Sequence, residues 1–502
     1  MNLVNDPWIP VVFQNGRSSI VSLNDAFALG PQIRDLNALP HERVAIMRLL
    51  VCVTQAALNG PDTYMDWQKC RDQIASVSSK YLQKFGSKFE LFGEGERFLQ
   101  LQGLSLDESK TKNKSKKAGG DEVVSAKAET SKLDLSLASG NNHTLFDNAA
   151  TAPYREISKE RLALTLLSFQ CFAPGSLIGV GLWNGQQLKG SSIHAPCSGS
   201  IIHAIIREEN LIGTIHSNLI TKHDSQSVHG NEKWGVPIWE AMPRSEDDEA
   251  LIKNATETYL GRLVPISRAI RLLDQRSMII ANGLAYRPYP AFREATISTQ
   301  VRKLKGKEQL AVVMMSPRKA IWRELHSIVI KNKGELAGPL SWGKFSGNQD
   351  VDLWTGALCC NKSKIIDSIE SNFSVPSAMF GEIGGKIYEE GVLYAVQRDF
   401  NLGIAIRTYA ETLRIEPKTI KRMMEAASLR FWTAVEDGVK ILLDQVVTFS
   451  KIDSWSEFVR RHIEDAYEVS CPRSTSRQIE AFSRGRNKLI NLPNKKSTRD
   501  KK

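Results

Sequence analysis

Three clusters in this 502-residue chain carry side chains that could do chemistry. His194-Ala195-Pro196-Cys197 sets an imidazole near a thiol, His223 and His229 form a histidine pair, and Asp350-Val351-Asp352 supplies two carboxylates. A cysteine nucleophile needs a spatially adjacent base, and a metal nuclease needs several converging carboxylates; neighbourhood in sequence establishes neither. Each cluster also has a plain structural reading, as a loop turn, a solvated loop and a strand edge respectively. Patterns that would decide the matter are missing: there is no H-E-x-x-H, no G-x-x-x-x-G-K-[ST], no G-x-S-x-G and no kinase set. The expectation is a protein that is not an enzyme.

A different chemistry is suggested by residues 139–148, Ser-Gly-Asn-Asn-His-Thr-Leu-Phe-Asp-Asn. Asn141, Asn142 and His143 can bond phosphates or base edges, and the ring of Phe146 can stack a base for about 1–3 kcal/mol. The same composition also fits a turn anchored by Phe146 in the core. Charge points the same way as the first reading, since a net +11 suggests an anionic partner. Its distribution is uneven. From Arg484 to Lys502 eight basic residues stand against Asp500, a local balance of +7, and five lysines fall between Lys110 and Lys117. A basic tail at 493–502 that merely solubilises is an alternative to one that binds.

These loops need elements to hold them. The opening reads as a β-hairpin, Trp8–Phe13 and Ser19–Val21 around Asn15-Gly16. An Asn24-led helix follows, and Pro40-His41-Glu42 opens a longer one through Leu58 whose apolar residues recur every three or four positions. Residues 107–132, rich in Lys, Ser, Glu and Gly, are expected to form a flexible loop. Strand character at Ser200–Ile206, Ser277–Ile280 and Leu310–Met315 alternates with a helix at Ala320–Lys331. Beyond about residue 375 the pattern is wholly helical, with segments at 377–413, 417–449, 453–469 and 474–491; Pro417 leads one of them, with an apolar stripe through Ile420, Ala427, Phe431 and Val435. The expected fold class is α+β: a mixed N-terminal domain over 1–374 and a C-terminal four-helix bundle over 375–492.

The seven cysteines make no C-x-x-C pair, which fits a reduced, cytoplasmic protein without a structural zinc site. No signal peptide is expected, because Met1 leads into polar Asn-Leu-Val-Asn-Asp. Leu162 to Trp183 is uncharged, but Pro174-Gly175, Gly179 and Gly181 break it, so it reads as a buried helix followed by a glycine-rich loop and no membrane contact is expected.

Taken together, Met1-Asn2-Leu3 followed by Trp8-Ile9-Pro10-Val11, the Ser-Gly-Asn-Asn-x-Thr-Leu-Phe loop at 139–146, and Asp352-Leu-Trp-Thr-Gly-Ala-Leu358 leading to Lys362 resemble the large subunit (CasA) of type I-E CRISPR Cascade. The resemblance runs through nearly the whole chain.

It implies a protein seated at the 5′ handle of a guide RNA that reads the protospacer-adjacent motif in double-stranded target DNA from the minor groove. On this resemblance Asn141, Asn142, His143 and Phe146 meet the guide-RNA handle, and a glycine loop containing Gly175, Gly179 and Gly181 approaches a groove only ~6 Å wide. Arg276 becomes a basic finger, preceding a strand and Asn282-Gly283, at a position where the family can carry lysine; a planar guanidinium in place of an ammonium alters motif preference. Asn348 and Gln349 become a wedge that parts the strands beside the motif. The plain readings are a helix-breaking glycine run, a strand-end arginine paired with Asp274, and a Gly-Asn turn. The implied partners are the guide RNA, the target duplex, other Cascade subunits and a helicase-nuclease recruited afterwards. Some family members carry cysteine pairs suited to zinc; lacking these, the chain is expected to need no metal and no cofactor. A generic RNA-binding scaffold and a metal-dependent nuclease are the rival readings.

Overall fold

The computed structural model describes residues 1–106, 114–117, 120–123, 126–136, 156–175, 178–188, 194–229, 234–304, 306–316, 319–330, 335–341, 349–361 and 363–491. The fold mixes helices and strands, and the chain divides into two units.

The first unit spans residues 1–321, 331–343 and 351–374. Its opening hairpin pairs Ile9–Phe13 with Ser18–Val21, and Ile33–Leu36 adds on the other side. Between them the helix Leu23–Ala28 is capped by Ser22, whose hydroxyl accepts from the Asp25 N–H, so the cap stands two residues before Asn24. The helix Pro40–Leu58 starts on a proline, whose missing N–H is no loss in a first turn, while Glu42 accepts from the Leu39 N–H. Val44, Ile46, Leu49, Leu50 and Val53 are all buried, each worth roughly 1.5–3 kcal/mol if fully removed from water. Alongside it packs Lys159–Phe172, a helix buried from Leu162 onward. No helix among the described residues is long and apolar enough to cross a membrane.

The antiparallel sheet that carries Arg276 in its turn runs Arg268–Leu272, Ser277–Asn282, Lys127–Glu129. Its third strand corrects the end of the expected loop at 107–132, residues 127–132. Lys127–Ile279 and Glu129–Ser277 pairing draws that segment into the sheet, a 3-10 turn follows at Thr130–Leu133, and Ala126, Thr130 and Leu133 are buried. Residues 114–117 and 120–123 also pair as strands. A second sheet joins Leu104–Leu106, Gly181–Trp183 and Gln186–Gln187, and a third joins His203–Arg207, Val351–Asn361 and Lys364–Val375. Thr299–Leu304 and Lys307–Val312 form a separate two-stranded ribbon.

The second unit takes in residues 375–502 together with 322–330 and 344–350. The helix Glu382–Thr412 packs against Pro417–Glu436, Val439–Val447, Asp453–Ser470 and Ser476–Asn491. The single helix expected at 417–449 is therefore two, broken at Asp437-Gly438. Trp322, Trp432 and Trp455 meet ring to ring, with Trp322 within 6.1 Å of both others, and the Tyr388 hydroxyl donates to the Trp322 carbonyl at 2.8 Å. The segment expected to be one helix over Ala320–Lys331 is a 3-10 turn, Ile321–Glu324, running into Leu325–Val329.

Candidate nucleic-acid interface

The three clusters of potentially reactive side chains sit in different surroundings. Cys197 is buried, and burial pushes its thiol well above the ordinary value, so the thiolate that a nucleophile requires is suppressed. Its carbonyl, not its sulfur, meets an imidazole, that of His203 at 3.1 Å. His194 is exposed, and its Nδ1 accepts from the Gly175 N–H at 3.0 Å, which makes Nε2 the protonated nitrogen of the neutral ring; partial burial and the charge of Arg268 both lower its pKa. The His223 side chain is exposed, and that of His229 lies outside the described residues. Asp352 stands 3.7 Å from Arg207, whereas the Asp350 carboxylate accepts from the Ser377 N–H in the second unit. Among the described residues no three His, Cys, Asp or Glu side chains converge to hold a metal.

The glycine segment is shaped by what precedes it. The helix Lys159–Phe172 ends at Ala173, and the chain turns out through Pro174 and Gly175. Arg268, buried, donates from Nη2 to the Pro174 carbonyl at 2.8 Å and from Nη1 to the Ser267 carbonyl at 2.8 Å, and burial pushes its pKa down to about 10. The Gly175 N–H goes to His194, and its carbonyl accepts from the Ser363 hydroxyl. Both backbone groups of Gly175 are thus engaged within the protein. Gly179 is buried; Gly181 begins a strand opposite Leu106, where a Cβ would come within 2.8 Å of the Ala281 methyl. Close packing of the two sheets accounts for that glycine.

Arg276 stands in the turn joining Arg268–Leu272 to Ser277–Asn282. The Asp274 carboxylate closes the turn, accepting from the N–H groups of Arg276 and Ser277 at 2.7 Å each and from the Ser277 hydroxyl at 2.9 Å. The Arg276 N–H is the leading cause that lowers the Asp274 pKa. Outside the turn, the Thr130 N–H donates to the Arg276 carbonyl (3.1 Å), and the Thr130 hydroxyl (2.8 Å) and Ile157 N–H (3.2 Å) donate to the Gln275 carbonyl. The backbone is fixed while the guanidinium remains 57% exposed, with Nη2 at 2.9 Å from Glu156 Oε2. Asp274 takes the backbone of Arg276, not its side chain, so the strand-end pairing read from the sequence is replaced by one with Glu156.

Residues 2–466 match the family described as CRISPR-associated protein Cse1. The chain belongs to that Cse1 family. The resemblance to CasA drawn from its motifs is borne out. It is 23% identical to the CRISPR-associated protein CasA/Cse1 of Thermus thermophilus over 506 residues, covering 93% of this chain and 92% of that one. Its fold is similar to the crystal structure of Thermobifida fusca Cse1 (TM-score 0.74, 18% identity, 97% and 98% of the two chains). It is similar as well to a chain of a CRISPR RNA-guided surveillance complex (TM-score 0.74, 12% identity, 97% and 99%).

Within this Cse1-family chain the expected site residues fall in three places. Arg276, Gly175, Gly179 and Gly181 are in the first unit, and Arg268 ties the glycine segment to the strand that leads to the Arg276 turn. Gln349 is exposed and belongs to the second unit. Asn141, Asn142, His143, Phe146 and Asn348 lie outside the described residues, as does the tail 493–502. Sequence reading missed Arg268, Thr130 and Glu156. A buried arginine at a strand start carries no local mark, and Glu156 is 120 residues from its partner.

Proposed function

We propose that this Cse1-family chain is the large subunit of a type I-E Cascade. In this reading it recognises the protospacer-adjacent motif in double-stranded DNA, helps open the duplex for guide-RNA pairing, recruits a separate helicase-nuclease and cuts no bond itself. The observation that carries the reading is Arg276: a half-exposed guanidinium on a turn whose backbone is held from both sides. A donor fork on a rigid mount can discriminate the acceptors of a groove floor, whereas one on a mobile chain would settle on any phosphate. Family membership and the full-length likeness to a chain of an RNA-guided surveillance complex support the same conclusion.

The remaining roles follow from it. Phe146, with Asn141, Asn142 and His143, holds the guide-RNA handle; Gly175, Gly179 and Gly181 shape the edge that meets the groove; Asn348 and Gln349 form the wedge. The helices of the second unit act as the family's four-helix bundle, and the protein works in the cytoplasm with the other Cascade subunits. Sequence is then read by guide pairing, the division of labour known for a different RNA-guided effector type.

Binding of the reconstituted, guide-loaded complex to duplexes differing only in the flanking trinucleotide is the test. Arg276→Ala should weaken binding to the preferred motif by about 1–3 kcal/mol and change non-specific binding little, since phosphates supply most of the latter. The same loss on every duplex would make Arg276 a phosphate contact and leave a motif-indifferent scaffold. Metal-dependent cleavage by the subunit alone would leave a nuclease.

A further inference from the structure

The Arg276 guanidinium has a partner that neither the turn nor the strand pairing demands. Glu156 faces it at 2.9 Å, with the two side chains 52% and 57% exposed. Their chain neighbours are tied to each other: the Ile157 N–H donates to the Gln275 carbonyl at 3.2 Å, and the Gln275 side-chain Nε2 donates back to the Ile157 carbonyl at 3.0 Å. A carboxylate and a guanidinium thus meet through adjacent residues on two fixed segments, which distinguishes this pair from chance contacts between long surface side chains.

A free guanidinium offered to DNA meets two sorts of acceptor. Phosphate oxygens occur at every step and carry no sequence; groove-floor atoms are few and sequence-dependent. A carboxylate beside the guanidinium repels phosphates and cancels its charge at a distance, yet an exposed pair contributes little to folding, so a better-placed acceptor can displace it. Discrimination frequently depends on such a repulsive element.

Resting on the reading of Arg276 as a groove-reading residue, we propose that Glu156 is a specificity-determining residue: it occupies Arg276 away from the target, and only a duplex with suitably placed groove acceptors takes the guanidinium over.

The experiment uses the full chain in the guide-loaded complex as wild type, Glu156→Gln, Arg276→Ala and the double variant. Two probes are titrated over a salt series: a guide-matched duplex library randomised at three flanking positions, and a duplex without a match. Glu156→Gln should tighten binding to the unmatched duplex about twofold to fivefold and flatten the ranking of trinucleotides. The plot of log affinity against log salt should steepen by about 0.9, one added phosphate contact. On the Arg276→Ala background all three effects should vanish. An equal gain in both backgrounds is a general charge effect and overturns the proposal. So does a silent Glu156→Gln when Arg276→Ala loses the ranking, an outcome that leaves the groove reading intact. If Arg276→Ala keeps the ranking, the groove reading fails and the role of Glu156 falls with it.

Discussion

Glu294→Gln should destabilise the first unit more than any surface change can. Glu294 is buried between two arginines that are themselves buried. Its Oε2 accepts from Arg48 Nη2 at 2.8 Å, and its Oε1 accepts from Arg262 Nη2 at 2.6 Å and Nε at 2.9 Å. Burial alone would raise the pKa of this carboxyl, but Arg262 and Arg48 outweigh it and hold the group at about 2, against an ordinary 4.5. At 1.36 kcal/mol per pKa unit that displacement corresponds to about 3 kcal/mol of stabilisation of the ionised form. Mutational experience with one partner removed from a buried ion pair gives a similar ~3–5 kcal/mol, because the remaining charges stay buried uncompensated. For a unit of this size, with an unfolding entropy near 2.1 cal/mol/K per residue, the shift in midpoint is about 4–7 °C. The folded-state pKa lies below the unfolded one, so the contribution is complete above pH ~4.5 and is lost as pH falls toward 2. Thermal melts of the full chain at pH 7, 4.5 and 3 measure this; Gln should cost most at pH 7, and the gap should narrow in acid. A Glu294→Gln variant that melts with the wild type at pH 7 would refute the reasoning, since two unpaired buried guanidiniums cannot be neutral in cost.

Three further outcomes are expected. Phe146→Ala should loosen the subunit from the guide-loaded complex by roughly tenfold to a hundredfold, one stacked ring, as read by size-exclusion of the reconstituted assembly. Gln349→Ala should impair strand opening detected by permanganate, and a duplex already melted beside the motif should restore it, because unstacking costs a few kcal/mol per step. Gly181→Ala should lower the melting midpoint through contact with Ala281, at about 1–3 kcal/mol; a loss of motif binding with the midpoint unchanged would assign the glycine to the groove instead.

Much of the fold is legible because local and global preferences agree. The Asn15-Gly16 hairpin and the helix from Pro40 to Leu58 show it: turn residues, a leading proline and a regular apolar period all point one way. Where they disagree, the sequence misleads. Lys127–Glu129 has no strand character of its own and becomes a strand because Ser277–Ile279 offers an open edge. The apolar period that starts at Ile420 continues through Val435 to Val439 and Leu442, straight across a helix break, and the local sign is Gly438, where a Cβ would lie 2.1 Å from the Phe458 ring. The candidate site divides in the same way. Asp274 and Ser277 announce a turn by type and spacing, so the mount of Arg276 can be read locally; Thr130 and Glu156 act on it from distant sequence, and Arg268 reaches the glycine segment at Pro174, through contacts that only the folded chain creates.

The membership of residues 322–330 in the helical unit bears on how this protein can be dissected. Trp322 supplies a ring to Trp432 and Trp455 and a carbonyl to Tyr388, yet residues 331–343 and 351–374, which belong to the other unit, come between it and the first long helix in the chain. No single cut therefore yields two self-sufficient pieces. A fragment beginning at 375 would remove the Trp322 ring from Trp432 and Trp455 and leave the buried Tyr388 hydroxyl without its acceptor; a fragment ending at 374 would carry Trp322 without those two rings. On the ribosome, residues 322–330 emerge long before their cover is made, so the tryptophan at their start waits for the last quarter of translation to find its place.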